Sequence, residues 1–297
     1  MLNNYKCVNC GSEHTKIIDE GIKCESCKSL FEFNELTGCY NFLRKEDNDL
    51  FLKEINLEDL QQEEAREDSQ IRLYSEEDYI QSDYAGNLVR EFNLKEGALI
   101  LDHGCGRGHF SKMFSDIGYK VFSADILEDA ISKLESKNKS VCNLTKLPYK
   151  DNTFDGVFSL DVFEHLIPKS MDNVINEIYR VLKPGGILLI SFPGNRIPDL
   201  IGIHILNIFI FFLRLFGSNY PYMRSNNIRA HINLHPPSKF KKSFKKAGFL
   251  GEIKPYSNKF MTLPRSLVFL AKILNFSLLA PIFIHQMHGY LKKPKNL

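Results

Sequence analysis

Two Cys-x-x-Cys pairs, Cys7/Cys10 and Cys24/Cys27, open the chain with thirteen residues between them. Two tight turns that each present a pair of thiolates supply the four sulfur ligands of a tetrahedral zinc. Protein sulfur then fills every coordination position, so the expected site is structural. A redox pair matches less well, because one Cys-x-x-Cys suffices for it. Cys39, Cys105 and Cys142 lack a paired spacing, and cysteines used this way point to a reducing compartment.

A second group of residues suits ligand binding. An apolar run ends in Asp102-His103-Gly104-Cys105-Gly106-Arg107-Gly108, and an amphipathic segment follows. Glycines in such a turn let bare backbone approach a ligand at a helix N-terminus. Asp125 closes the next apolar run, where a carboxylate accepts hydrogen bonds from a ribose diol. The pattern fits any nucleotide-binding α/β domain, and alone it is equally a tight strand-to-helix connection. A third group, Asp161-Val162-Phe163-Glu164-His165 together with His231 and His235, offers bases for proton removal.

Short apolar strands and amphipathic helices alternate from Gly97 onward and must position these groups. Strands are expected at 98–102, 119–125, 140–143, 154–161 and 187–192. One helix presents Phe110, Met113, Phe114 and Ile117 on a single face and stops at Gly118; another covers 126–136. A third starts at Ser170, buries Met171, Val174, Ile175, Ile178 and Leu182, and ends at Pro184-Gly185-Gly186. These elements describe an α/β domain with a mainly parallel sheet. Upstream, residues 46–78 are rich in Glu, Asp, Gln and Arg and read as a polar helical linker.

With 297 residues, 43% hydrophobic, 25% charged and a net charge of +2, the chain is long enough for one core plus an appendage. That balance excludes a disordered protein and does not announce a nucleic-acid partner. The start, MLNNYKCVNC, lacks the basic and apolar regions of a signal peptide, so the cytoplasm is expected. Two apolar stretches, 200–216 and 263–284, are broken by His204, Asn207 and Arg214 and by Pro264, Arg265, Lys272 and Pro281. Neither reads as a membrane-spanning helix.

The strings ILDHGCGRGHF, NLTKLPYKDNTFDGVFSLDVFEHL and EIYRVLKPGGILLISFP occur in this order, with Asp125 between the first two. Over about 97–193 they resemble the class I S-adenosylmethionine-dependent methyltransferases, in the branch that includes quinone-biosynthesis enzymes. The resemblance implies a Rossmann-like domain with a mixed seven-stranded sheet across 79–297, with apolar helical insertions at about 195–230 and 262–284. It assigns Asp102, Gly104, Gly106, Gly108 and the nearby backbone to the methionine half of S-adenosylmethionine. Asp125 would take the ribose hydroxyls and Ile126 the adenine face. Asn143 stands where the family often has Asp and would accept from the adenine amine, or serve only as a turn residue; the Leu144 amide would read the ring. His103 departs from the small or apolar residue usual after the first Asp.

The cofactor's sulfonium carries the methyl activation, so the protein must align a nucleophile and, for a hydroxyl, remove its proton. Asp161, His165 and His231 are the candidates for that step. Asp161, Glu164 and His165 also resemble the acidic-x-x-Glu-His cluster that binds a divalent metal in some quinone-pathway O-methyltransferases and small-RNA 2′-hydroxyl methyltransferases. Asp161 replaces the usual Glu and a second histidine is missing. The competing expectation is that Glu164 and His165 cap a helix and hold the neighbouring loop. The N-terminal stretch YKCVNCGSEHTKIIDEGIKCESCKSLFEFNELTGCYNFL resembles the zinc ribbons of the Trm112-like group, giving a ribbon at 1–45. Such ribbons stand beside methyltransferase domains, including a guanine methyltransferase acting on ribosomal RNA.

The apolar stretches bear on the acceptor. They suit helices at the active-site mouth that touch the inner membrane face, with Arg214, Arg224, Arg229, Arg265 and Lys272 toward anionic headgroups, or else a dimer interface or enlarged core. The most basic segment, KFKKSFKK, keeps Phe240, Phe244 and Ala247 on one stripe, as an ordinary surface helix does. The expected reaction is therefore methyl transfer to a hydroxyl of a lipid-linked glycan, a quinone or another apolar small molecule near the membrane. RNA methylation, with the ribbon in recognition, is the alternative; a non-catalytic cofactor-binding partner is a third.

Overall fold

The computed structural model describes residues 3–44, 90, 92–193, 203–215, 233, 237–256 and 286–295. Four short strands come first: β1 (Thr15–Ile18), β2 (Gly21–Cys24), β3 (Leu30–Asn34) and β4 (Cys39–Asn41). The larger part alternates β5 (Leu99–His103), α1 (His109–Asp116), β6 (Lys120–Asp125), α2 (Glu128–Ser132), β7 (Lys139–Val141) and β8 (Phe154–Leu160). Then come α3 (Met171–Val181), β9 (Leu182–Pro193), α4 (Ile203–Leu215), α5 (Pro237–Lys246), β10 (Leu250–Tyr256) and β11 (Gln286–Lys292). The polar segment 46–78, the whole of the second expected insertion, most of the first, His231 and His235 lie outside the described residues; α4 falls within the first insertion.

One sheet runs β1-β2-β3-β4-β7-β6-β5-β8-β9-β11-β10. Its centre is parallel, and β11 returns antiparallel between β9 and β10. The expectation of seven strands is corrected to eleven. β7 through β10 make the mixed seven, and the ribbon adds its four strands where Tyr40–Asn41 of β4 pair in parallel with Ser140–Val141 of β7. A parallel edge strand exposes a row of unpaired amides and carbonyls, and β4 covers it.

Side chains join the two parts as well. Tyr5 stacks on Phe42 at 5.5 Å and meets Tyr149 at 5.8 Å, while Tyr149 meets Phe154 edge-on at 5.1 Å. Ribbon residues Tyr5, Val8, Ile22 and Phe31 belong to the same buried cluster as Leu101, Phe122, Val157 and Ile190. Ribbon and α/β layers thus share one core, which burial of this much apolar surface favours.

Two helices differ from their sequence pattern. α1 ends at Asp116, leaving Ile117 42% exposed, and Ser111 is buried instead. α2 stops at Ser132 rather than continuing to 136: the Lys133 and Leu134 amides close it on the carbonyls three residues back, Ala130 and Ile131, and the buried Lys139 ammonium takes the Leu134 carbonyl at 2.9 Å. Among α3's residues Met171, Val174, Ile175 and Ile178 are buried, while Leu182 is buried as the first residue of β9.

Candidate active site

Asp102, Asp125 and the 161–165 segment meet at the C-terminal edge of the parallel strands, where open α/β sheets place ligands. β5 ends in Asp102 and His103, β6 in Asp125, and β8 delivers the 161–165 segment. Between β5 and α1 the turn doubles back on left-handed glycines. Gly104 has φ +76°, and a Cβ there would sit 2.5 Å from Val162 Cγ2; Gly108 has φ +79°, and its Cβ would sit 2.7 Å from Leu134 Cδ1. Any side chain would push the turn away from both neighbours.

Asp125 locks this turn. Its Oδ2 accepts the Gly106 amide at 2.8 Å and its Oδ1 accepts the Leu127 amide at 2.9 Å. Each oxygen keeps a lone pair for a further donor. Burial raises its pKa above the ordinary carboxylate value, against the pull of these amides. Asp102 is likewise buried, and its Oδ2 accepts the Ser111 hydroxyl at 2.6 Å. Ser111 lies 2.7 Å from the Ser123 hydroxyl. Burial pushes the Asp102 carboxyl up to about 8, with the nearby Asp125 charge adding to it. Two desolvated acids whose charges oppose each other are costly in the free protein.

Ile126, half-buried, follows directly, and the Cys142 amide donates to the Asp125 carbonyl at 2.8 Å. Asn143 Oδ1 accepts from the Thr145 amide at 2.9 Å and hydroxyl at 2.8 Å, an Asx turn that fixes this loop. Leu144 is buried in it. His103 points to the opposite face of β5 from Asp102, its Nδ1 3.0 Å from Ser159 Oγ, and burial pushes its pKa down to about 4. It is therefore neutral at physiological pH.

Asp161 adopts φ +55°, a conformation costly for most side chains. Its amide donates to the Ser191 carbonyl at 2.9 Å, and the Ser191 hydroxyl donates to its Oδ1 at 2.9 Å. The following 3-10 turn, Phe163–His165, buries Phe163 and Glu164 and leaves His165 half-buried. Asn233 is the described residue of the 216–236 stretch. It is buried, donating its amide to the Glu164 carbonyl and its Nδ2 to the Phe163 carbonyl, both at 2.9 Å. Asn233 is thereby tied to the 161–165 turn, while His231 and His235 lie outside the described residues. α5 backs the same turn, Phe244 lying 5.5 Å and Phe240 6.1 Å from Phe163.

Metal-ligand geometry is found elsewhere. The four cysteines Cys7, Cys10, Cys24 and Cys27 hold their sulfurs within 4.8 Å of one another, with Cys7–Cys27 and Cys10–Cys24 at 3.6 Å. Sulfurs on a tetrahedron of about 2.3 Å Zn–S bonds have similar separations, so the quartet fits zinc. Asp161, Glu164 and His165 do not form such a group among the described residues. Asp161 is turned toward Ser191, and Glu164 is buried beneath the turn.

Ser111, Ser191 and Asn233 were not singled out from the sequence. Ser111 interrupts an apolar helix face, which is the one signal that marked any of them.

Residues 101–190 match the family described as methyltransferase domain. Among curated relatives, a Mycolicibacterium smegmatis protein named Probable S-adenosylmethionine-dependent methyltransferase is 33% identical over 34% of this chain and 40% of its own length. Squalene methyltransferase 1 of Botryococcus braunii is 37% identical over 32% of the chain and 27% of its own. A Bos taurus protein named Probable tRNA methyltransferase 9B is 36% identical over 34% of the chain and 23% of its own. The matched segment thus spans less than half of each. Two solved structures share the fold. A chain from the complex of the Haloferax volcanii Trm112 methyltransferase activator with a methyltransferase superposes with TM-score 0.52 at 16% identity, covering 81% of this chain and 98% of that one. Haemonchus contortus phosphoethanolamine N-methyltransferase 2 in complex with S-adenosyl-L-methionine gives 0.50 at 18% identity, covering 73% and 53%.

Proposed function

We propose that the chain is an S-adenosylmethionine-dependent methyltransferase. One observation carries this: Asp102 and Asp125, carboxylates at the ends of adjacent strands whose pKa values burial raises, flank a left-handed glycine turn. A ligand that brings an ammonium and a ribose diol fits that arrangement and offsets its cost. Asp102 would hold the ammonium, the 104–108 backbone the methionine carboxylate, Asp125 the diol, and Ile126 with the 142–145 loop the adenine. When bound, the cofactor supplies a sulfonium-activated methyl group. The chain's own residues then orient the acceptor and receive its proton. His165 stands at the strand edge for this, His231 is the second candidate for the proton, and the fixed Asp161 shapes the floor.

For the acceptor, we propose a hydroxyl on a lipid-linked or otherwise apolar molecule presented at a membrane surface. The support is α4, which exposes Ile208, Phe211, Phe212 and Leu215 beside Arg214. Exposed apolar residues on one helix suit the headgroup boundary. Among the described residues no helix is long and apolar enough to cross a membrane. RNA is the second reading, favoured by the match to a protein named Probable tRNA methyltransferase 9B. Radiolabelled methyl transfer into lipid, RNA and protein fractions of a cell extract tests both. Label in the lipid fraction, with flotation on anionic vesicles, supports the first reading. Label in RNA with salt-sensitive RNA binding replaces it with the second. Tight S-adenosylhomocysteine binding with no label transferred anywhere overturns catalysis.

A further inference from the structure

We infer that the ribbon positions the two loops that take the nucleoside half of the cofactor, acting through a single turn at residues 34–38. This rests on the cofactor reading above. The turn follows β3 and grips α2 at both ends. At the N-terminal end, Glu128 Oε1 accepts from Asn34 Nδ2 at 2.8 Å and from the Thr37 hydroxyl at 2.9 Å. At the C-terminal end, the buried Lys139 donates to the Thr37 carbonyl at 2.7 Å, to Leu134 O at 2.9 Å and to Ser132 O at 3.5 Å. All three ammonium protons are thereby spent on carbonyls, one from the ribbon and two from the end of α2.

Each grip lies next to a cofactor loop. Glu128 follows Asp125-Ile126-Leu127 without a gap, and Asp125 holds the glycine turn through Gly106. Lys139 starts β7, which pairs with β4 over Ser140–Val141 and then becomes the Cys142-Asn143-Leu144 loop. The two loops are themselves joined by the Cys142 amide on the Asp125 carbonyl. α2 is only five residues long, too short to hold its own geometry in isolation. Its position, and with it that of the Ile126-Leu127 link whose amide Asp125 accepts, depends on the ribbon turn. The Glu128 contacts are charge-assisted, and hydrogen bonds of that kind are the strong ones.

The test reverses the polarity of one contact. Asn34→Asp keeps the Oδ1 that accepts the Leu36 and Thr37 amides but turns a carboxylate oxygen toward Glu128. We expect zinc content to stay at the wild-type level and S-adenosylhomocysteine affinity, by calorimetry, to fall about tenfold. Amide exchange should rise over 125–134 and 139–146 but not over 171–181 in α3. Adding Glu128→Gln supplies a donor opposite the new carboxylate, and the Asn34→Asp/Glu128→Gln protein should recover both affinity and protection. Wild-type affinity and exchange in Asn34→Asp would overturn the inference. So would a loss that spreads to α3 and is not recovered in the double variant. A wild-type protein that binds no S-adenosylhomocysteine would overturn the cofactor reading and this inference with it, whereas binding by wild type and variant alike removes the inference alone.

Discussion

Asn233 donates from both its backbone and its side chain to consecutive carbonyls, Glu164 and Phe163, at 2.9 Å each. A residue far along the chain is thus fastened to the turn that leaves β8. Asn233→Ala removes the Nδ2 bond from a buried carbonyl, a loss of about 1–3 kcal/mol in stability. It should slow methyl transfer by about tenfold or more, because misplaced groups lose catalysis steeply. Calorimetry should show S-adenosylhomocysteine affinity unchanged, since Asn233 has no contact with the 102–108 turn. Equal losses in affinity and turnover would place Asn233 elsewhere in the mechanism.

The Asp102 carboxyl, held near pH 8 by burial against 3.8 when exposed, gives the free protein a particular pH response. Between these values the folded state binds more protons than the unfolded state, so stability falls as pH rises from about 4 to about 8 and levels off above. Asp125, also raised by burial, acts in the same direction. A cationic ligand selects the ionised form, so affinity rises over the same window and binding releases protons. Calorimetry in buffers of different ionisation enthalpy measures that release. Asp102→Asn should raise the urea midpoint of the free protein, flatten its pH dependence and weaken cofactor binding. A lower midpoint would show that Asp102 is satisfied without a ligand.

Gly104→Ala joins two costs, a left-handed backbone and a Cβ at 2.5 Å from Val162. About 1–3 kcal/mol of destabilisation is expected from the backbone alone. Cofactor affinity should fall as well. Adding Val162→Ala should recover part of the stability, leaving the backbone share. Full recovery in thermal denaturation would show that the conformation itself costs nothing.

Zinc and the α/β domain should melt together. Cys10→Ser, by removing one of four converging sulfurs, should abolish stoichiometric zinc by elemental analysis and lower the midpoint of the whole chain. One transition is expected in calorimetry, because ribbon and domain share a sheet and a buried cluster. Two separate transitions, with only the smaller one sensitive to chelator, would mean that the ribbon folds independently.

Much of this arrangement was legible in the sequence, for local reasons. The parallel strands are buried on both faces and read as apolar runs, as ILDH and FDGVFSL do. Glycines at 104, 106 and 108 marked the turn because a left-handed backbone demands them. The cysteine spacing marked the quartet. Ser111 was hidden because a polar residue on a helix reads as solvent-facing, and its partner Asp102 belongs to another element. Asn233 was hidden because its contacts are wholly tertiary. The eleven-stranded sheet was missed because nothing within the three residues 39–41 says that they form a strand or which strand they join.

Tyr40 lies opposite Ser140 in the sheet although a hundred residues separate them in the chain. During synthesis the cysteine hairpins emerge before β7, and β4 waits for its neighbour while the intervening segment is made. Contacts this distant in sequence slow folding, and uncovered strand edges attract other chains. A ribbon loaded early with its ion would present a finished edge on which β7, and then the rest of the parallel sheet, can assemble. Metal supply to the nascent chain should therefore govern the yield of soluble enzyme as much as its final stability.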